Sequence, residues 1–307
     1  MVISADEIAP PAVQPETQPP VRPGRRAIRA PRLRRTPVHV VVIVTAAIWL
    51  IPLVGLLVSS FRPSTDVLST GWWQSFADPA SYTLANYSRV LDREGMLLSF
   101  FNSLAIVVPA TLLVVVVSSA AAYGLACMRF RFRRGVLLGM VALLIVPVQI
   151  TLVPLLKVFN GLDLTGSFLG LWLVHLGYGV PFAIYLLHNF FAAIPRELFE
   201  AAEIDGASHS QIFFEIVLPI SRPALASLAI FEFVWTWNDL LTALIFLGGF
   251  REVAPMTVAV SGLVASRGNG WEVLTSAAML SMLVPMVVFV AMQKHFVRGM
   301  LAGISKG

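Results

Sequence analysis

Long apolar runs dominate the hydrophobic pattern of this chain. Six of them approach or exceed the roughly 20 residues that a helix needs to cross the hydrocarbon core of a bilayer. Each run is apolar on all sides, which is typical of a spanning helix and not of an amphipathic helix lying on a membrane surface. The predicted spans are residues 38–61, 98–127, 135–159, 166–191, 223–247 and 274–292.

Composition indicates the same class of protein. Of the 307 residues, 57% are hydrophobic and 13% are charged, against about 25% charged residues in a soluble domain. Sixteen of the 22 lysines and arginines lie on the side of the predicted bundle that holds both termini. The positive-inside rule therefore predicts cytoplasmic N- and C-termini in a multi-pass protein of the cytoplasmic membrane.

The predicted spans divide the chain into four parts. We expect a disordered Pro/Arg-rich cytoplasmic tail at 1–36, and a first transmembrane helix with an outward loop at 37–97. A five-helix core follows at 98–292, with a mobile outward loop at 248–273, and a cytoplasmic C-terminal tail closes the chain at 293–307. The arginines of the first tail are expected to fix topology and contact anionic lipid, which makes nucleic acid an unsuitable partner.

One polar segment interrupts the apolar runs between the fourth and fifth predicted spans. This segment, residues 195–222, is called the elbow below, and it places carboxylates around Gly206. Gly206 suits the left-handed position that ends a helix. Ser208 and Gln211 have the spacing of a capping box that opens a second helix, which should end near Leu218.

The side chains of the elbow suit contact with another chain. Ala201, Ala202 and Gly206 leave room for a second backbone to approach, and Phe213 and Phe214 offer apolar anchors. A bent pair of helices attached to two spans could act as a lever that passes a partner's movement to the membrane. The residues alone leave this interpretation open beside that of an ordinary capped connector.

A fixed spacing within the elbow resembles a known family. The residues in this spacing are Glu200, Ala201, Ala202, Gly206, Ile216, Leu218 and Pro219. They resemble the cytoplasmic motif of permeases in binding-protein-dependent ABC importers. Three further stretches are similar to the carbohydrate branch of that family, and within it to the maltose-type, MalG-like half. They are "AAYGLACMRFRFRRG" at 121–135, "VWTWNDLLTALIFL" at 234–247 and "FVRGMLAGISKG" at 296–307.

The resemblance implies an all-α type I permease fold of a bacterial ABC importer. In that family the motif forms the coupling helix, which sits in a cleft of the ATP-binding subunit. The last residues, here Gly303, Ile304, Ser305, Lys306 and Gly307, would contact the same ATPase. The implied partners are a second homologous permease subunit, two ATP-binding subunits, an extracytoplasmic solute-binding protein and membrane lipid.

Hydrolysis of ATP is not expected in this chain. A P-loop places Gly-Lys-Ser/Thr after a glycine-rich turn so that backbone N–H groups can bind phosphate. The three lysines, Lys157, Lys294 and Lys306, stand in no such sequence. The single Cys127 has no partner for a disulfide or a thiolate metal site. We therefore expect no cofactor on this chain, no enzyme activity, and ATP with Mg²⁺ on the partner ATPase.

Polar residues within the spans are candidates for the translocation pathway. An ionised carboxylate at a bilayer centre costs about 2.5–3.5 kcal/mol on insertion scales, and Glu232, Thr236 and Asp239 share one face of a continuous helix. Contact with the pathway and hydrogen bonding between helices both remain open for them. His175 and His188 are expected to be packed or interfacial. The predicted pathway residues are Gln149, Thr151, Glu232, Trp235, Thr236, Asn238 and Asp239.

The function that this pattern predicts is ATP-driven import of a sugar, a di- or oligosaccharide, with coupling through residues 200–219. A polyol, a glycerol phosphate or another solute is the alternative within the same class. A self-sufficient secondary transporter would need internal inverted repeats and ion-coupling carboxylates. A membrane enzyme would need a convergent cluster of nucleophile and base or a metal site. Neither pattern is visible in the sequence.

Overall fold

The computed structural model of the chain describes residues 36–77, 79–92, 94–266 and 270–304, with the backbone alone at 36, 80, 264–266 and 293–304. Throughout these ranges the regular structure is helical, without strands. The all-α prediction is therefore confirmed. The predicted disordered tail lies outside the described residues except for Thr36, which begins the first helix.

Helices follow one another along the chain with short connections. In chain order the α-helices are α1 (Thr36–Ser60), α2 (Ser64–Ser69), α3 (Ala85–Asp92), α4 (Met96–Cys127), α5 (Arg133–Leu143), α6 (Val148–Gly161), α7 (Phe168–Phe191), α8 (Arg196–Ile204), α9 (His209–Gln211), α10 (Leu218–Ile220), α11 (Arg222–Trp237), α12 (Leu241–Leu247), α13 (Met256–Ser266) and α14 (Trp271–Ile304). Two 3₁₀ segments, Trp72–Ala77 and Pro79–Ser81, follow α2, and a π-helical segment, Ile212–Val217, joins α9 to α10.

Four described helices are long and apolar enough to cross a membrane unaided, namely α1, α4, α7 and α14. Two bent pairs bring the number to six when each pair is counted as one span. These pairs are α5 with α6, and the segment His209–Ile220 with α11. The prediction of six spans thus holds for the described residues only with the bent pairs included.

The chain divides into two units, Met1–Leu50 and Ile51–Gly307. The described part of the first unit is the beginning of α1, where the side chains from 37 to 50 are exposed. An apolar helix with exposed side chains is typical of a helix that faces lipid.

Helices α4 and α7 form the centre of the second unit and run parallel to each other. Near their starts, Trp172 Nε1 donates a hydrogen bond to the Ala105 carbonyl (3.0 Å). Half-way along, Gly179 lies against Val114, and both helices end at one cavity beside the elbow. Two parallel helices need a return crossing between them, and α5 and α6 provide it.

The return crossing is bent by 103° between α5 and α6. The sequence pattern predicts one span over 135–159, and the structure forms it from these two helices. Pro147 adopts extended backbone (ψ 126°) immediately before α6. Its ring disfavours helical backbone at Val146, and it has no N–H group to continue the helical hydrogen bonds. The pair still leads from the end of α4 to the start of α7, at opposite ends of the bundle.

A second break divides the predicted fifth span. The pattern predicts a continuous helix over 223–247, but α11 ends at Trp237 and α12 begins at Leu241. The Asp239 side chain contributes to this break, because its Oδ1 accepts a hydrogen bond from the backbone N–H of Thr242 (3.2 Å). This bond satisfies one of the N–H groups that the start of a helix leaves unpaired.

The segment at 248–273, predicted as a mobile loop, is described over 248–266 and 270–273. It contains α13, and its first part is tied to α4. There, the buried Asn102 side chain donates from Nδ2 to the Glu252 and Ala254 carbonyls (3.0 and 3.2 Å). Buried carbonyl groups need such partners, so the Asn102 amide fixes the backbone of a segment that its glycines alone would leave free.

Candidate functional site

The elbow joins α7 to α11 through two helical pieces that meet at Gly206. Helix α8 precedes the turn, and the helical segment His209–Ile220 follows it. Gly206 has φ +79°, a left-handed backbone that glycine adopts without steric cost. Ser208 opens the second piece with a capping box to Gln211. The left-handed glycine and the capping box are both confirmed.

The second helical piece differs from its prediction in length and regularity. It continues to Ile220 instead of ending near Leu218, and then bends by 75° into α11. In its π-helical segment, the Leu218 N–H donates to the carbonyl of Phe213, five residues earlier. Pro219 has no N–H, and the widened turn before it accompanies a helix that continues past a residue that usually ends one. Such turns are rare and often lie at functional sites.

The face of the elbow that points towards the bundle is apolar and buried. Ala202, Ile212 and Val217 belong to one buried cluster with residues of α4, α7 and α11. The Phe213 ring packs 5.1 Å from the ring of Tyr123 in α4. Close packing of this kind transmits a displacement instead of absorbing it, so a movement of the elbow would reach three spans.

Outside this buried cluster, the elbow exposes several side chains, two of them large and apolar. Glu200, Ala201 and Gly206 are exposed, and the side chains of Ile204 and Phe214 are 86% and 64% exposed. Large apolar side chains grouped on a surface mark an interaction site. The elbow therefore has one face built into the bundle and another that presents a contact surface.

The separation of a buried face from an exposed face changes which elbow residues can contact a partner. Ala202, which was expected to leave room for a partner's backbone, is buried in the bundle, so that room remains only at Ala201 and Gly206. Ile204 was not among the predicted contact residues. It follows Ala202 by two helical positions, about 200° around the axis, so the burial of Ala202 turns Ile204 outward. Helical geometry could have identified it once the buried face was known.

Two predicted pathway residues lie together on α11. Glu232 and Thr236 are 3% and 5% exposed, one helical turn apart. The carboxylate of Glu232 packs against α7 at Gly179, where a Cβ atom would lie 2.9 Å from Glu232 Oε2. Trp235 on the same helix is 58% exposed and stacks on Phe231. The predicted set therefore divides between a buried face and an exposed one.

Asp239 does not share the helical face of Glu232, because it lies beyond the end of α11. Its Oδ1 bonds to the start of α12, and its Oδ2 lies 3.6 Å from Nε2 of the buried His175 in α7. Its backbone carbonyl accepts a hydrogen bond from the Thr257 hydroxyl (3.0 Å). These contacts join α7, α12 and α13 at one residue, the first two through its carboxylate and the third through its backbone carbonyl. Its neighbour Asn238 is exposed, and its side chain donates to the Val234 carbonyl.

The remaining predicted sites lie apart from α11. In the first turn of α6, the Thr151 hydroxyl pairs with the Tyr178 hydroxyl (2.9 Å), and Gln149 is exposed. Gly303 and Ile304 belong to the last turn of α14, described by its backbone alone. Ser305, Lys306 and Gly307 lie outside the described residues. Among the residues described, no group of three His, Cys, Asp or Glu could hold a metal ion.

In sequence and in fold, the chain is similar to known transport proteins. The family described as "Binding-protein-dependent transport system inner membrane component" matches residues 79–302. The osmoprotective compounds uptake permease protein GgtD of Synechocystis sp. is 49% identical over 276 residues, which are 89% of this chain and 93% of that protein. The alpha-glucoside transport system permease protein AglG of Rhizobium meliloti is 47% identical over 234 residues, 75% of this chain and 62% of that protein. The fold is shared with a chain in the crystal structure of a bacterial ABC transporter involved in the import of the acidic polysaccharide alginate. The TM-score is 0.72 at 20% sequence identity, and the match covers 86% of this chain and 97% of that chain.

Proposed function

Because the chain belongs to the family of inner membrane components of binding-protein-dependent transport systems, we propose that it forms one half of the permease of an ATP-driven importer and couples to a separate ATPase through the elbow. The observation that supports this coupling is the two-sided elbow. Its inner face packs against α4, α7 and α11, and its outer face exposes Ala201, Gly206 and Ile204. A push on the outer face has a mechanical path into the membrane.

The proposed division of labour assigns ATP and Mg²⁺ to two ATP-binding subunits. The sequence of this chain has no Gly-Lys-Ser/Thr of a P-loop, so the energy for transport would come from those partners. A second homologous permease subunit would complete the pathway, and an extracytoplasmic solute-binding protein would deliver the solute. The elbow and both termini would lie in the cytoplasm, where the excess of arginine places them.

The proposed substrate is a carbohydrate, a di- or oligosaccharide. The name of the Rhizobium relative specifies alpha-glucosides, and the carboxylate of Glu232, on the buried face of α11, is a group that suits sugar hydroxyls. The Synechocystis relative is named for osmoprotective compounds, which keeps a polyol or a glycerol phosphate as the alternative. We propose that Glu232 and Thr236 line the pathway or its gate.

Uptake measurements on a Gly206→Val variant test the coupling. A β-branched residue in left-handed backbone costs about 1–2 kcal/mol, and no atom lies within 4 Å of the added Cβ position, so the effect would come from the backbone of the elbow. In cells that lack the native chain, the native gene should restore uptake of a labelled α-glucoside. The variant should insert in the membrane but lose uptake and solute-stimulated ATP hydrolysis.

Gly139→Val provides the matched control, since Gly139 lies in α5 without positive φ and with open space around it. It should transport normally. Full uptake and ATP stimulation by Gly206→Val would rule out the elbow as the coupling element. Restored uptake of a polyol but not of an α-glucoside would correct the substrate and leave the coupling intact. Uptake without any ATP-binding partner would favour the secondary transporter.

A further inference from the structure

Four arginines meet around a cavity between the elbow and the ends of α4 and α7. The cavity has a volume of about 790 Å³. The arginines and carboxylates that line it are Arg129, Arg133, Arg134, Arg196, Glu200 and Glu203. The arginines come from separate places in the chain, the connection after α4, the first turn of α5 and the first residue of α8. The positive-inside pattern accounts for their side of the membrane but not for their convergence on one space.

The positive charge of this elbow cavity is not neutralised within the described part of the chain. None of the four guanidinium groups lies within 4.0 Å of a carboxylate oxygen there. Arg133 donates to the Met128 carbonyl at 3.1 Å, which leaves its charge uncompensated. Four arginines outnumber the two carboxylates of the lining, so an anion in the cavity would relieve their mutual repulsion.

Hydrogen-bond donors other than the arginines also face this region. Helices α5 and α8 begin at Arg133 and Arg196, and neither start has a side-chain cap. Uncapped helix starts leave backbone N–H groups and the positive end of the helix dipole available to an anion. His188 also lines the cavity, and its buried Nδ1 has no hydrogen-bond partner among the described residues.

We propose that the elbow cavity binds a phosphate group, carried by a phospholipid headgroup or by a soluble phosphate ester. Guanidinium groups bind phosphate oxygens through paired hydrogen bonds, and basic pockets at the cytoplasmic ends of spanning helices are typical headgroup sites. The inference rests on the proposed function only for the cytoplasmic orientation of the elbow. A phosphate held between Arg134 of α5 and Arg196 of α8 would brace the elbow against the bundle.

Cys127 provides a direct measurement of occupancy. It is the single cysteine of the chain, and it lines the cavity. The full chain would be reconstituted in nanodiscs of phosphatidylcholine, with or without phosphatidylglycerol, and the rate of Cys127 modification by a neutral maleimide would be followed. A bound headgroup should slow the reaction in the discs with phosphatidylglycerol. A soluble ligand should slow it in pure phosphatidylcholine when inorganic phosphate or glycerol 3-phosphate is added.

Arg134→Gln should weaken this protection about fivefold, the factor expected for one basic side chain near a headgroup, and Arg134→Lys should restore part of it. Arg131→Gln is the matched control. It removes the same charge three residues earlier in the chain, but the Arg131 guanidinium lies over the Phe132 ring (5.5 Å) and is not among the residues that line the cavity. Protection should remain intact in this control. If Arg134→Gln lowers the unfolding midpoint, Arg129→Gln takes its place.

Three results would overturn the proposal. Equal loss of protection in the Arg131 and Arg134 variants would mean a general effect of surface charge. Lack of protection by both the lipid and the soluble phosphates would mean that no phosphate binds. Protection that appears only with the ATP-binding subunits present would assign the cavity to that interface. The measurement uses neither ATP nor transport, so its outcome is independent of whether the elbow couples to an ATPase.

Discussion

At the scale of single residues, glycine has two roles in this chain, and the sequence reveals only one. Gly206 adopts left-handed backbone in open space, and its position between helix-forming residues and a capping pattern predicts that role. Gly179 instead gives room to Glu232 and Val114. Those residues lie on other helices, so the need for glycine at 179 depends on tertiary packing that no local pattern contains.

Gly179→Ala should destabilise the protein. The added Cβ would lie 2.9 Å from both Glu232 Oε2 and Val114 Cγ2, and overpacking of this kind costs about 1–3 kcal/mol. Gly177→Ala is the matched control on the same helix, because no atom lies within 4 Å of its Cβ position. Unfolding of the two purified variants in detergent measures the difference. Equal stability would show that Glu232 and Val114 move aside at little cost.

At the scale of elements, apolar patterns locate the spans but not the breaks within them. Hydrophobicity continues across the turn before α6, at residues 144–146, and before α12 only Asn238 and Asp239 interrupt it. The presence of a proline does not predict where a span breaks. Pro109, Pro181 and Pro285 lie inside the helices α4, α7 and α14. The difference at Pro147 depends on which neighbouring groups satisfy the freed backbone, and this is a property of the folded protein.

Asp239 is expected to stabilise the start of α12 mainly through its hydrogen bond to the Thr242 N–H. Asp239→Asn can keep that bond but removes the carboxylate charge that faces His175 at 3.6 Å, whereas Asp239→Ala removes both. A helix-capping bond contributes about 0.5–2 kcal/mol, so the alanine variant should be less stable than the asparagine variant by about that amount. Unfolding in detergent, with His175→Ala to complete a double-mutant cycle, measures both terms. Equal losses for asparagine and alanine would assign the stability to the contact between the carboxylate and His175.

The buried face of α11 should open to water during transport if it lines the gate. A Thr236→Cys variant in a Cys127→Ser background places a thiol on that face beside Glu232. Because Thr236 is 5% exposed, a small polar thiol reagent should react slowly without nucleotide and faster when ATP drives the switch. Leu228→Cys, fully buried on the same helix, should stay unreactive throughout. A Thr236→Cys variant that transports but never reacts would make Glu232 a structural residue.

At the scale of the whole molecule, the elbow motif predicts the family, and the apolar runs predict its six crossings. Neither predicts the elbow cavity, because Arg196 is distant in sequence from Arg129, Arg133 and Arg134 and meets them only when α4 and α7 end side by side. The same holds for the contacts of Asp239 with His175 and Thr257. Local signals thus specify the elements and their order, while the sites formed between elements depend on how the bundle packs.

A bent pair of helices such as α5 and α6 can either cross the membrane or return to the side it came from, and the two arrangements can be distinguished by labelling. The parallel packing of α4 and α7 requires a crossing, so Leu162 and Cys127 should lie on opposite sides, with Cys127 on the side that the positive-inside rule predicts to be cytoplasmic. In spheroplasts, a membrane-impermeant thiol reagent should label Leu162→Cys in a Cys127→Ser background, because Leu162 is 62% exposed. The native Cys127 should react only in inverted vesicles. Labelling of both positions from one side would make the pair re-entrant, and the parallel arrangement of α4 and α7 would then be untenable.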